Sequence, residues 1–335
     1  MPEDNGARPI TIYTVAKRAG VSISTVSRVL QGSSPASEQT RDRVLKAVDE
    51  LGYLPLRGRS SLQRTESHGL VMPAVGGPYY SELLAGYQYV AGQYGLSVTL
   101  VTAEAKPNHV IEQVVELAAR VDGMAITHLT VPDEVVTFVA SRVPVVLTGR
   151  QPVAGCDSIG VENEDPTREI VRHLIAHGAR RPRFVGISGT RDVRHRYAGY
   201  LEAVVEEGLD VPMAAYKVPA VEVFGQQVAD EVLADDTGCD ALVCANDELA
   251  LSVMKALSRR GLRCPEDILI TGFDDIMLAR YTVPGLTTVR LPTRQLGSLL
   301  AERLHERIVT GGPAQEPSTL TCEVIIRGTC GCTEE

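Results

Sequence analysis

At 335 residues the chain has room for more than one domain, and 44% hydrophobic with 22% charged residues is the balance of a folded globular protein. No apolar run reaches the roughly eighteen residues of a membrane span. The opening MPEDNGARPITIYTVAKRAG has no apolar signal core, so a cytoplasmic protein is expected. The net charge of -9 is divided unevenly: residues 1–64 hold ten Lys/Arg against six Asp/Glu (+4), and the rest hold 23 against 36 (-13). A basic end on an acidic body fits nucleic-acid binding by one end only.

Residues 1–10 read as a disordered leader, and 11–53 hold three short helices set off by their own punctuation. Thr11 is placed to cap the first, with Ile12, Val15, Ala16 and Ala19 at helical spacing and Gly20 as a left-handed stop. Ser22 caps the second, with Val26, Val29 and Leu30 inward; Ser37 caps the third, with Val44, Leu45, Val48 and Leu51 inward. A link as short as Gly20-Val21-Ser22 makes the first two helices cross steeply, the helix-turn-helix arrangement whose second helix enters the major groove. A small three-helix bundle need not touch DNA. Here the outer face of the second helix carries Ser24, Thr25, Ser27 and Arg28 and no acid, which suits phosphates and base edges.

The order TxxxVAxxAGVSxxTVSRVL, continuing through SEQTRDRVLKAVDELGYLP, resembles the DNA-binding headpiece of the LacI/GalR family of bacterial repressors. That resemblance implies a recognition helix with Ile23 and Ser24 at its base-facing end and Arg28 one turn on. Thr11, Ser22, Thr25 and Ser37 would meet phosphates, and Ser27, Tyr13 and Tyr53 complete the candidate DNA face. Residues 54–66 (LPLRGRSSLQRTE) then match the family's hinge, where Leu62 falls at the position of a minor-groove wedge beside Arg59. The other reading is a plain linker with Leu62 packed on the body. Leu56 and Arg59 depart from the family's usual hinge residues.

From His68 short apolar strands alternate with amphipathic helices, and after ENEDPTREIVRHLIAHGAR the pattern restarts. This predicts an α/β class with parallel sheets in two lobes. The resemblance makes residues 67–335 a two-lobed, periplasmic-binding-protein-like (type I) effector domain that also dimerises. Lobe 1 is expected over about 67–157 and 291–319, and lobe 2 over about 163–288 and 321–335.

Open α/β sheets bind ligands beyond the carboxyl ends of their strands. There the sequence gathers Tyr79, Tyr80, Arg150, Arg196, Asn246, Asp247, Asp274 and Asp275, although Asn and Asp are also ordinary turn formers. Paired donors and acceptors with an aromatic ring suit sugar hydroxyls and the apolar face of a pyranose. The resemblance singles out Arg196 of RHRYAGY, Asp274 of GFDD, Tyr79 and Tyr80 of GGPYY, and Asn246 of CAND as effector-binding, with Arg150 beside them. Gly149 and Ala220 stand where many relatives carry an aspartate and an aromatic ring; with no Trp, stacking is left to Tyr79, Tyr80, Phe224, Phe273 or Tyr281.

A nucleophile elbow, P-loop, zinc-ligand helix and dinucleotide fingerprint are missing, so no enzyme and no cofactor are expected. The seven cysteines read as reduced thiols. Cys330-Gly-Cys332 shows no second paired motif at zinc spacing, so no metal site is expected. The expected partners are palindromic operator DNA, a small-molecule effector (a sugar first) and a second copy of the chain; the C-terminus lacks a leucine heptad, so a homodimer is expected. A corepressor-dependent regulator of a non-sugar metabolite, and a cytoplasmic ligand-binding protein without regulation, are the other readings.

Overall fold

The computed structural model describes residues 12–31, 37–51, 65–103, 107–128, 131–186, 190–210, 216–217, 224–234 and 238–333. The expected DNA contacts Thr11, Tyr53, Arg59 and Leu62, like Leu56 and Ala220, lie outside them. By contacts the chain divides into two units. One is 1–76, 84–159 and 297–317; the other is 77–83, 160–296 and 318–335.

Unit 1 opens with α1 (Ile12–Ala19), α2 (Ile23–Gln31) and α3 (Glu38–Leu51). Ile12, Val15, Ala16, Ala19, Val26, Val29, Val44 and Ala47 form the buried face of this headpiece. Leu45 does not join them: it is 44% exposed, because Val44 and Ala47 already take the inward side of α3. Gly20 has φ +65°, the left-handed stop that lets α2 begin three residues after α1 ends.

The rest of unit 1 is a parallel sheet. β1 (Ser67–Met72), β2 (Ser97–Thr102), β3 (Gly123–Thr127), β4 (Val145–Thr148) and β5 (Asp157–Val161) run in the order β5-β4-β3-β1-β2. The helices α4 (Pro78–Gln93), α5 (Pro107–Leu117) and α6 (Asp133–Ala140) connect them. Every residue of β1, β3 and β4 is buried, which is why these strands read as continuous apolar runs rather than alternating ones. α11 (Thr293–Thr310) returns to this unit, where Arg307 reaches Asp157 at 2.7 Å.

Unit 2 carries α7 (Glu164–Ala176), β6 (Pro182–Gly186), α8 (Arg191–Glu206), β7 (Tyr216–Lys217), α9 (Phe224–Leu233), β8 (Ala241–Cys244), α10 (Asp247–Ser258) and β9 (Leu269–Thr271). Its parallel sheet runs β7-β6-β8-β9. The final apolar segment forms two strands separated by Thr321 and Cys322. β11 (Ser318–Leu320) runs beside the end of β5, with the Glu162 amide donating to the Leu320 carbonyl at 2.9 Å. β12 (Glu323–Ile325) pairs antiparallel with β10 (Thr288–Arg290). The first turn of α4, with Tyr79 and Tyr80, belongs to unit 2. No helix among the described residues is long and apolar enough to cross a membrane.

Candidate functional site

The N-termini of α2 and α3, the expected DNA contacts, are built by caps. Ser22 Oγ accepts the Thr25 amide at 3.1 Å and lies 2.8 Å from both Ser24 Oγ and Thr25 Oγ1. Ser37 Oγ accepts the Thr40 amide at 3.3 Å. These caps fix two helix N-termini, where backbone amides and the helix dipole favour phosphate oxygens. Arg28 is exposed one turn further along α2, with Nε donating to the Ser24 carbonyl at 3.3 Å, so most of its guanidinium donors stay open for a base edge. Ile23 and Tyr13 are half-buried against the apolar cluster. Ser27 departs from the expected DNA face: it is 7% exposed, on the side of α2 next to Val26 that turns toward its packing partners. Arg18 clamps α1 to Glu50 of α3 at 2.7 Å.

The ligand candidates fall into two groups. In unit 1, Arg150 is 1% exposed. Nη1 donates to the Val131 carbonyl at 2.9 Å and the His128 carbonyl at 3.3 Å, and Nη2 pairs with Asp133. Both terminal nitrogens therefore have partners within unit 1, and the buried Nε is without one among the described residues. Beside it Gly149 holds φ +67°, and a Cβ there would lie 2.8 Å from the His128 ring. The carboxylate common in relatives has no room in this conformation.

In unit 2 the strand ends converge on Arg196. α8 presents it 7% exposed, with Nε donating to Asn163 Oδ1 at 2.8 Å and Nη1 to the Ala245 carbonyl at 2.5 Å. Its guanidinium lies 3.7 Å from the centroid of Phe273 and 3.7 Å from Asp274 Oδ1. Phe273 is thereby covered by a cation, which removes it from the rings expected to stack on a ligand; Tyr281 is 68% exposed. Burial pushes the Asp274 carboxyl well above its ordinary range; Arg196 opposes this, while Asp247, Glu248 and Asp192 reinforce it. Tyr79 and Tyr80 meet edge to face at 5.1 Å. Burial first, then the Asp192 and Asp274 carboxylates, push both phenols up, so they stay protonated and able to donate.

Asn246 is the N-cap of α10, its Oδ1 accepting the Leu249 amide at 2.9 Å, so the turn-forming reading holds for that oxygen. Asn163, which the strand-end candidates did not include, and Asp247 and Asp275, which they did, complete the array. Asn163 orients Arg196, and its Nδ2 reaches Asp192 at 3.4 Å. Asp247 is fully buried, accepting Thr288 Oγ1 at 2.5 Å and the Ile276 amide at 2.8 Å, and burial lifts its carboxyl to about 7. A Cβ at Gly272 would sit 2.1 Å from Asp247 Oδ1, so the glycine of GFDD is needed for this close approach. Asp275, at φ +52°, takes Arg327 at 2.6 Å and Arg290 at 2.7 Å. Burial alone would raise Asp275; the hydrogen bonds from Arg327 and Arg290 outweigh it and hold the carboxyl below its ordinary value. The adjacent acids of GFDD therefore do different work: Asp275 locks the turn, and Asp274 faces Arg196.

A helix-turn-helix headpiece followed by two parallel α/β units, with a polar array at strand ends, defines a DNA-binding regulator with an effector domain. The model of bacterial regulatory proteins of the lacI family matches residues 11–55, and that of a periplasmic-binding-protein-like domain matches residues 171–330. The HTH-type transcriptional regulator AscG of Escherichia coli (strain K12) is 33% identical over 335 residues, covering 95% of this chain and 97% of that protein. Among solved structures, the transcriptional regulator CelR–cellobiose complex matches with TM-score 0.75 at 27% identity, covering 96% of this chain and all of that one. The lac repressor dimer bound to operator and the anti-inducer ONPF matches with TM-score 0.70 at 29% identity, covering 96% and 99%. The chain belongs to the LacI family of DNA-binding transcriptional regulators; its relatives are regulators and not enzymes.

Proposed function

We propose that the protein is a cytoplasmic repressor that binds a two-fold symmetric operator as a homodimer and leaves it when a small polyhydroxylated ligand, most simply a sugar, occupies the Arg196 array. The observation that carries the reading is the pairing in one chain of a capped, Arg28-bearing helix-turn-helix with a buried Arg196–Asp274 pair flanked by Tyr79 and Tyr80. Arg196 supplies fixed donors, Asp274 faces it, and the tyrosines add an apolar surface with phenol donors. The similarity to CelR in complex with cellobiose supports the sugar class, and that to an operator-bound repressor dimer supports the homodimer. Ligand acts by preferring one arrangement of the effector domain, which shifts the population able to hold both half-sites.

The test begins with operator DNA selected from random sequence by the full chain. Arg28→Ala is expected to cost about 1–3 kcal/mol at one base step of each half-site and to relax selectivity there. Equal affinity and selectivity would remove Arg28 as a reader. A thermal-shift screen of mono- and oligosaccharides against purines then identifies the ligand, and anisotropy with operator reads its effect. Tighter DNA binding on addition would replace release with corepression.

A further inference from the structure

α7 carries His173 in its last turn and is capped at its C-terminus by His177, four residues on, and the two imidazoles lie with ring centroids 4.2 Å apart. The 3-10 turn Gly328–Cys330 brings the C-terminal segment of unit 2 past that face. Cys330 Sγ lies 3.2 Å from His173 Nε2. Cys332 Sγ lies 3.1 Å from His177 Nε2 and 3.5 Å from His173 Nε2. The ligating atoms of His173, His177 and Cys332 all fall within 4.8 Å of one another, and both cysteines are free thiols.

We propose that His173, His177, Cys330 and Cys332 form a Cys2His2 site for a zinc ion that fastens the C-terminal segment to α7. Two thiols and two imidazoles are the donor set of closed tetrahedral zinc sites. With Zn–N of about 2.0–2.1 Å and Zn–S of about 2.3 Å, a tetrahedron places nitrogen and sulfur about 3.5 Å apart. Three of the four nitrogen–sulfur edges, at 3.1, 3.2 and 3.5 Å, come within a few tenths of an ångström of that value, and Cys330, whose thiol donates to the Arg327 carbonyl at 3.1 Å, turns from that carbonyl to complete the set. The ligand shell is also oriented from outside. His177 Nδ1 donates to the His173 carbonyl at 2.9 Å, which fixes the tautomer whose Nε2 lone pair faces Cys332. Cys330 is buried while His177 is exposed, so the cluster is closed on the protein side and open to an entering ion on the other. Binding replaces the two thiol protons: each sulfur gives up H⁺ to solvent as its bond to zinc forms, with no change of oxidation state.

The segment held in this way is tied into the rest of the unit. Arg327 donates to Asp275 at 2.6 Å, and Thr329 Oγ1 accepts the Thr287 amide at 2.8 Å. Zinc at Cys330 and Cys332 therefore anchors the strand-end turn that Arg327 holds. The sequence expectation of no metal site rested on a missing second ligand pair; that pair is His173 and His177, on a helix far away in sequence.

The full chain, purified with reductant and without chelator, is expected to carry a single zinc per chain by metal mass spectrometry. Replacing zinc with Co(II) should give a sulfur-to-cobalt charge-transfer band and the intense visible bands of a tetrahedral site. The double variant Cys332→Ser/His177→Gln should lose both the zinc and these bands, and Cys156→Ser, a buried cysteine of unit 1, should keep them. Chelator should lower the melting temperature of the parent and leave that of the double variant unchanged. The operator affinity of the double variant confirms that it is folded. The proposal is overturned by a parent chain that takes up no zinc on reconstitution, by full zinc content in the double variant, or by a Cys330–Cys332 disulfide mapped in protein kept under reductant.

Discussion

Arg150 and Arg196 occupy matching places in their units, each beside the carboxyl end of a central parallel strand and each almost wholly buried. Their guanidiniums are used differently. Arg150 donates to two backbone carbonyls and Asp133 within unit 1, as a strut for the loop between β3 and α6. Arg196 is held by Asn163 and the Ala245 carbonyl but faces Asp274 only at 3.7 Å, longer than a hydrogen bond and in line with a spare acceptor and donor pair. Buried charge at a strand end is thus not by itself a binding site. What separates the two is the carboxylate each faces: Asp133 is hydrogen-bonded to Arg150, and Asp274 stands off from Arg196 at 3.7 Å.

The contrast makes opposite predictions for the same substitution. Arg150→Met leaves the Val131 carbonyl without its donor, so unfolding of the unit should be easier by about 3 kcal/mol, with effector affinity unchanged once folded. Denaturant titration beside ligand calorimetry reads both; a Kd that weakens as much as stability would return Arg150 to the site. Arg196→Met should do the reverse. Loss of a charged donor to the ligand costs about 2–3 kcal/mol, close to a hundredfold in Kd. Stability should change less, because Asp274 already favours its neutral form. An Arg196 variant with parental ligand affinity would break the comparison at its stronger end.

Much of this was legible in the residues. The headpiece caps, Gly20 and the apolar spacing of α1 read directly because they are local. Leu45 failed because in α3 only Val44 of the adjacent apolar pair reaches the core, and the spacing alone does not say which of the two yields. Arg196 and Asp274 were legible as strand-end residues, yet so was Arg150; the partners that consume it, the carbonyls of His128 and Val131, leave no mark in sequence. Asn163 was missed because its work is to orient Arg196, and Asp247, legible as a strand-end acid, could not be told from an ordinary turn former. The His173, His177, Cys330 and Cys332 cluster required tertiary structure, since its two halves lie at opposite ends of the lobe's sequence.

Asp247 sharpens the comparison through pH. Its carboxyl rises from 3.8 to about 7, chiefly by burial, so the folded chain binds a proton that the unfolded chain has released. The sign follows: its contribution is fully present below the unfolded value and is lost as pH rises through about 7. Within that window stability should fall by up to about 1.4 kcal/mol per pH unit. Asp247→Asn, an imitation of the protonated acid, removes this contribution, while Asp274 adds a slope of the same sign and His68, which burial pushes down to about 4, one of the opposite sign. A parent and an Asp247→Asn chain whose stabilities change identically with pH between 5 and about 7 would place the Asp247 carboxylate in a more solvated setting than the structure shows.

Asn246 gives the smallest effect and the finest discrimination. It stands at a strand end of unit 2, as Arg196 does, yet its Oδ1 already serves the Leu249 amide, as Arg150's donors already serve carbonyls. If prior engagement is the criterion, Asn246→Ala should cost about 1 kcal/mol of stability, the usual value of an N-cap, and leave ligand affinity untouched. Asn246→Asp should restore the cap, because a carboxylate oxygen accepts the same amide and suits the positive end of α10. A ligand affinity that falls in both variants would show that the Nδ2 amide, rather than the cap, is what the site uses. The division between spent and open strand-end groups would then run through the middle of a single side chain.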